Sequence, residues 1–318
     1  MVRPTVLGGL GPNPKSRKRP DPMGILDNLK KALGGSSSRI DVEGRFHRTR
    51  TAFTGTMANF FVAKDREHND RMVGVKVLDP EKSELFESRF KGLGKPSEGE
   101  IAMQMSHPKV VETFEVGTST KGQPVLIMEY IGGPSLQNII VQKQEEHVTG
   151  KRLRMIRDMA EALRYVHQKE FIHRDICPRN FICTPGNELT KLIDFGLSVP
   201  ATAPFKAPGN RTGTPLYMSP EIVRRRPTDK RVDVFSLGVT CFCLITFEHP
   251  WQNDTLNGRA ALHHDTSPPK AIESICPRVD PKVGKAVMQA LHPDVEQRTP
   301  SVEHFLRAIE GVSSVYAE

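Results

Sequence analysis

Three oxygen-tipped side chains stand at fixed intervals in one stretch of this chain: Asp175 in His173-Arg174-Asp175, then Asn180, then Asp194 in Asp194-Phe195-Gly196. Phosphoryl transfer from a nucleotide to a hydroxyl needs such a set. One carboxylate must orient the hydroxyl and accept its proton, and further hard oxygens must hold two Mg²⁺ ions against the phosphate charge. Lys76 adds a candidate cation, set in the apolar run Val73-Gly74-Val75-Lys76-Val77-Leu78. A lone lysine in an apolar strand is more often an edge or surface residue. The three oxygens downstream tip the reading of Lys76 toward function.

Taken together, these segments resemble the metal-binding and catalytic loops of the eukaryotic-type (Hanks-type) serine/threonine protein kinases, in the form found in bacteria. The resemblance runs from about Arg45 to Ala308. It implies an α+β, two-lobed fold, with a small antiparallel-sheet lobe over 45–128, a larger helical lobe over 132–310, and ATP in the cleft between them. By resemblance Asp175 is the base, Asn180 and Asp194 hold Mg²⁺ or Mn²⁺, and Lys76 binds the α/β-phosphates while pairing with a helix glutamate. Glu98 is the candidate for that glutamate and Glu100 the alternative, because Gly92, Gly94, Pro96 and Gly99 leave the helix register open.

The same resemblance makes Met128-Glu129-Tyr130-Ile131 the hinge, with Met128 as gatekeeper and the backbone of Glu129 and Ile131 facing the adenine. Gly213 to Glu221 is similar to the G-T-x-x-Y-x-A-P-E segment of serine/threonine kinases. Thr214 would then hydrogen-bond Asp175 and favour a Ser or Thr acceptor. Glu221 would pair with Arg298, and Asp233 would brace the catalytic loop. Arg174 implies an activation segment ordered by phosphorylation, with Thr212 the first candidate acceptor and Thr202 and Ser198 behind it.

Two departures from the family pattern matter. The glycine-rich loop falls on Phe53, Gly55 and Ala58, so only Gly55 keeps the residue that lets backbone N–H groups approach phosphate without a Cβ. The lysine usually found two residues after the base is Cys177. Arg179 is the substitute, since a guanidinium can donate two parallel hydrogen bonds to phosphate oxygens. The reading is a serine/threonine protein kinase with a rearranged phosphate clamp; the alternative is a pseudokinase that only binds ATP or scaffolds partners.

The elements that must position these residues are legible in the apolar pattern. From Arg45 to Met128 short apolar runs alternate with turns, which predicts an antiparallel sheet with one helical insertion. After Gly132-Gly133-Pro134 the period becomes helical: Leu153, Ile156, Met159, Ala160, Leu163 and Val166 share one face, and Val234–Leu244 and Val283–Leu291 predict further helices. The most apolar stretch, Phe235 to Phe247, carries Ser, Gly and Thr and reads as a buried core helix, not a membrane span.

Composition is globular, with 37% hydrophobic and 26% charged residues in 318. The net charge of +8 is uneven: residues 1–50 hold eleven Lys or Arg against four Asp or Glu, hence +7 of it. The folded part is therefore nearly neutral, and nucleic acid is not an expected partner. Residues 1–44 read as a basic disordered tail carrying a short amphipathic helix at about 23–33, able to dock on an acidic surface, and 311–318 as a C-terminal tail. No apolar h-region opens the chain, so a secretory signal is not expected. Five cysteines without a C-x-x-C pair point to a reducing cytoplasm, with neither disulfides nor a cysteine metal site.

Overall fold

The computed structural model describes residues 39–50, 58–209, 211–251 and 260–317. The basic segment 1–38 with its expected helix, and Phe53 and Gly55 of the phosphate-covering loop, lie outside the described residues.

The smaller lobe is a six-stranded sheet in the order β1-β5-β6-β4-β3-β2, where β1 is Arg39–Ile40, β2 Phe46–Arg50, β3 Ala58–Asp65, β4 Arg71–Leu78, β5 Thr113–Ser119 and β6 Pro124–Glu129. On β4, between β3 and β6, successive side chains face opposite sides. Val73, Val75 and Val77 bury into one small core with Phe61, Val125 and Ile127. Lys76 and Leu78 take the other side, where Leu78 joins the main core. Gly74 leaves room there: a Cβ would stand 2.8 Å from the Phe60 ring and 3.2 Å from Met128 Cγ.

The sheet departs from the expectation in two ways. The two residues of β1 pair parallel with β5, Arg39 opposite Thr118, and Ile40 and Val42 are buried, so residues ahead of Arg45 also belong to the packed lobe. Three α-helices, not one, interrupt the strands: a single turn at Val42–Arg45 capped by Asp41, then α1 (Pro80–Glu87), capped by Asp79 with Pro80 in its first turn, and α2 (Glu98–Ala102). Ser97 caps α2 in a capping box, its hydroxyl accepting from Glu100 N while the Glu100 carboxylate accepts from Ser97 N at 2.8 Å.

The larger lobe is helical around α3 (Leu136–Val141), α4 (Arg152–Gln168), α5 (Pro220–Val223), α6 (Arg231–Thr246), α7 (Pro281–Ala290) and α8 (Val302–Ala308). The last two follow the caps Asp280 and Ser301. Helix α6 is buried from Val232 to Ile245, as a helix apolar on all sides must be. One apolar cluster runs through both lobes, joining Leu78, Ile101, Met105 and Leu126 to Phe181, Leu192, Phe195 and Phe235. Burying each such side chain contributes roughly 1.5–3 kcal/mol. Residues 311–317 close on this lobe and do not trail away: Val312 and Val315 are buried and Ala317 N donates to Arg278 O at 2.8 Å.

A second cluster joins the lobes at another point. Phe86 and Phe90, from the insertion between β4 and α2, pack with Phe205, Ile172 and Val199 of the larger lobe, with ring centroids 5.4 Å apart for Phe86–Phe90 and 5.7 Å for Phe90–Phe205. Among the described residues no helix is long and apolar enough to cross a membrane.

Candidate active site

Short strands set the catalytic loop. His173 to Asn180 connects β7 (Phe171–Ile172) to β8 (Phe181–Cys183), which pairs with β9 (Thr190–Leu192), Phe181 opposite Leu192. Ile193 N donates to Asn180 O at 2.9 Å, so Asn180 and Asp194 leave the same end of this hairpin. Arg174 and Asp194 both adopt positive φ, 66° and 71°. Such a backbone costs about 1–3 kcal/mol at each residue and persists only where the surroundings fix it. The fixing group at Arg174 is the buried Asp233 carboxylate, which accepts from His173 N (2.7 Å), Arg174 N (2.8 Å) and His167 Nε2 (2.8 Å).

The Asp175 carboxylate is held at both oxygens. Oδ1 accepts from Thr214 N at 2.9 Å and Thr214 Oγ1 at 2.6 Å; Oδ2 accepts from Asn180 Nδ2 at 2.9 Å and Arg179 Nη2 at 3.0 Å. Thr214 reaches this point because Gly213, at φ 128°, lies so close to the loop that a Cβ would stand 2.7 Å from Arg174 O. Cys177 is buried beneath, where Thr214 Oγ1 also approaches its Sγ at 3.5 Å. Burial, with the Asp175 charge adding to it, pushes the Cys177 thiol up to about 12. A thiol at that value is neutral at physiological pH and unreactive.

Lys76 meets two carboxylates, Glu98 Oε1 at 2.5 Å and Asp194 Oδ1 at 3.0 Å. Burial alone would depress the lysine, but the charges of Asp194 and Glu98 hold it above its ordinary range. Burial and the neighbouring Asp194 charge raise Glu98 despite Lys76. Asp194 goes the other way: burial opposes its charge, yet Lys76 and the Gly196 N–H lower it to about 2. The open choice between Glu98 and Glu100 is thus resolved by geometry, since Glu100 is committed to the α2 cap. The signal was present in the sequence as Ser97-x-x-Glu100.

At the end of β6, Met128 stands opposite Gly74 in the register. Glu129 N donates to Glu112 O at 2.9 Å, so this N–H is already used within the chain. Ile131 is buried and Ala58 opens β3 opposite Leu78. One contact was not anticipated: Lys191, on β9, binds both oxygens of Glu129 at 2.6 and 2.7 Å and ties the connector between the lobes to the strand that leads into Asp194.

Asn180 and Asp194 form a chemically suitable pair for a divalent ion. The Asn180 amide nitrogen is used on Asp175, including a 2.7 Å bond to Asp175 O, which turns its carbonyl oxygen to other use. An amide oxygen and a carboxylate fit a Mg²⁺-like ion, which takes its remaining ligands from phosphates and water.

The protein kinase domain family matches residues 46–308. The chain belongs to the protein kinase family. Among curated relatives, it is 29% identical over 283 residues to the serine/threonine-protein kinase PksC of Streptomyces coelicolor, covering 85% of this chain and 49% of that protein. It is 28% identical over 254 residues to pkn3 of Myxococcus xanthus (76% and 45%) and 33% identical over 233 residues to PknB of Mycobacterium tuberculosis (68% and 35%). The chain spans about half or less of the length of these relatives. Its two-lobed α+β architecture is that of the kinase fold.

Elsewhere in the kinase, Glu221 and Arg298 form a bidentate pair at 2.6 and 2.9 Å. The activation segment meets only one side of the Arg174 guanidinium, whose Nε and Nη1 are buried without a hydrogen-bond partner. The Arg174 guanidinium donates to Phe205 O at 2.6 Å and to Thr228 Oγ1 at 3.2 Å, both within the chain. Thr212 and Ser198 are buried and present no hydroxyl to a phosphate donor in this conformation; Thr202 is exposed. Phe205 also packs on Phe90, so an apolar contact holds the segment beside Arg174 as well.

Proposed function

We propose that this kinase is catalytically active and transfers the γ-phosphoryl group of ATP to Ser or Thr hydroxyls of proteins. The observation that carries the reading is the Asp175 carboxylate, held at both oxygens by Thr214, Asn180 and Arg179, while Lys76 is joined to Glu98 and Asp194. Asp175 orients the acceptor hydroxyl and takes its proton as the oxygen bonds to the γ-phosphorus and the bond to the β-phosphate oxygen breaks, releasing ADP. Lys76 donates to the α/β-phosphates, with Glu98 fixing its position. Asn180 and Asp194 hold the divalent metal, Mg²⁺ or Mn²⁺; when bound, it neutralises the phosphate charge. Arg179, 57% exposed beside Asp175, donates to the γ-phosphate in place of the lysine that Cys177 replaces. The carbonyl of Glu129 and the backbone of Ile131 meet the adenine, Met128 bounds its pocket, and Gly55, by its place in the sequence, is the glycine of the phosphate-covering loop. Thr214 shapes the acceptor side for an aliphatic hydroxyl. The five free thiols fit a reducing cytoplasm, and residues 1–44 offer a basic docking segment.

Purified protein given Mg²⁺ and labelled ATP is expected to phosphorylate itself or a generic protein acceptor. Asp175→Asn should lower transfer by roughly 10²–10⁴ with nucleotide binding retained. Nucleotide binding without any transfer by the native chain would make it a scaffold in place of an enzyme.

A further inference from the structure

The segment that begins at Thr214 has more backbone carbonyls than its own turn can use. Thr214 O and Pro215 O accept from Tyr217 N (2.9 Å) and Met218 N (3.4 Å), closing one turn of 3₁₀ helix. The next three carbonyls in a row are each taken by a side chain from elsewhere in the larger lobe. Leu216 O accepts from His249 Nε2 at 2.8 Å, Tyr217 O from Ser236 Oγ at 2.6 Å, and Met218 O from His264 Nδ1 at 2.7 Å. A carbonyl can only accept, so the proton in the histidine pairs sits on His249 Nε2 and on His264 Nδ1. The other nitrogen of His249, Nδ1, lies 3.3 Å from both Trp251 N and Trp251 O, so the ring is tied to the Trp251 backbone at that end.

Aromatic packing fixes the direction of both rings. His264 lies 4.3 Å from Trp251 and 5.5 Å from Phe235 between centroids, and His249 stands edge-on to Tyr217 at 5.9 Å. At its other end the same segment presents Thr214 to Asp175 through two hydrogen bonds. One end of this short stretch therefore touches the catalytic carboxylate, and the other is bracketed by His249, Ser236 and His264.

We propose that His249 and His264, with Ser236 between them, are positioning residues for the protein substrate. They hold the carbonyls of residues 216–218 on the far side of the segment, and so set the shape of the surface that receives the substrate backbone beside the acceptor hydroxyl. ATP makes no use of that surface. The inference rests on the activity proposed above and deepens it, because it assigns protein-substrate affinity to three residues outside the motifs that define the chemistry.

The test compares protein phosphorylation with ATP hydrolysis by the same enzyme, using casein and histone as acceptors. His249→Phe keeps the ring and its contacts but removes the donor. KM for the protein acceptor should rise about tenfold, the scale of one lost buried hydrogen bond, while KM for ATP and the rate of hydrolysis without acceptor change less than about twofold. His249→Gln restores a donor near the Nε2 position and should recover most of the loss. Should His249→Phe fail to fold, Ser236→Ala deletes a single hydroxyl and must show the same split. An unchanged acceptor KM in an active variant, or equal loss of hydrolysis and of transfer, overturns the positioning role alone. A native enzyme that transfers no phosphate to any acceptor removes the kinase reading itself, and this inference with it.

Discussion

Two buried ion clusters in this kinase are built on opposite plans. Arg298 faces one carboxylate, Glu221, and its remaining N–H groups meet the carbonyls of His292 (2.9 Å), Arg231 (3.0 Å) and Pro293 (3.2 Å). All five guanidinium donors are matched and the charge is balanced one to one. Lys76 faces two carboxylates, Glu98 and Asp194, and the second of these keeps 40% of its side chain exposed. That cluster carries a surplus negative charge and an open side. A closed, neutral pair serves only the fold. A surplus anion next to a single ammonium is stable as a place for a cation and a phosphate to enter, and its opposed pKa shifts, Glu98 up and Asp194 down, are the mark of groups kept apart from their ordinary behaviour for a task.

Either cluster can be opened by a single substitution. Arg298→Met keeps much of the stem's bulk and strands the Glu221 charge in the interior. Unfolding free energy in urea should fall by about 3–5 kcal/mol, the usual result of removing one partner of a buried pair. Lys76→Met should act on turnover: phosphotransfer falls by roughly 10²–10³ as one preorganised donor to phosphate is lost. Its stability loss should stay well below that of Arg298→Met. Glu98, already raised, can take a proton, and Asp194 can reach water. Equal destabilisation by the two substitutions would show that Lys76 is as structural as Arg298.

How much of this could be read from the sequence depends on how local each feature is. The catalytic loop and the Asp194 turn are short-range spacings, and Thr214, Glu221, Arg298 and Asp233 followed from similar segments. The pairing of Lys76 with Glu98 was within reach through the capping box at Ser97, a local signal hidden among glycines. The β1 strand was not, because two residues make no alternation. The hydrogen bonds of His249 and His264 to Leu216 O and Met218 O join positions 33 and 46 apart in the chain. Nothing in the spacing of two histidines reveals which carbonyls they will meet. The contact of Phe90 with Phe205 is longer in range still. The positive φ at Arg174 and Asp194 belongs to the same class: neither residue type announces it, and only the surrounding hydrogen bonds impose it.

Asp233 is a third buried charge, and its removal should have the smallest effect of the three. Its charge is buried without any formal partner from Lys or Arg, and is instead dispersed over two backbone amides and His167. Burial alone would raise its pKa; the His167 hydrogen bond and the His173 amide outweigh that and bring it below the ordinary aspartate value. The sign follows from linkage. A carboxylate depressed in the folded state adds stability that is complete above the unfolded value of about 3.9, and loses it as pH falls through the depressed value. Asp233→Asn keeps the shape but turns an amide N–H toward donors that need an acceptor. It should cost about 2 kcal/mol at pH 7, and the gap to the native protein should narrow as urea melts are repeated from pH 5 down to pH 3. A gap of constant size across that range would mean that Asp233 braces the catalytic loop by shape alone, and that a dispersed charge belongs with neither of the two clusters.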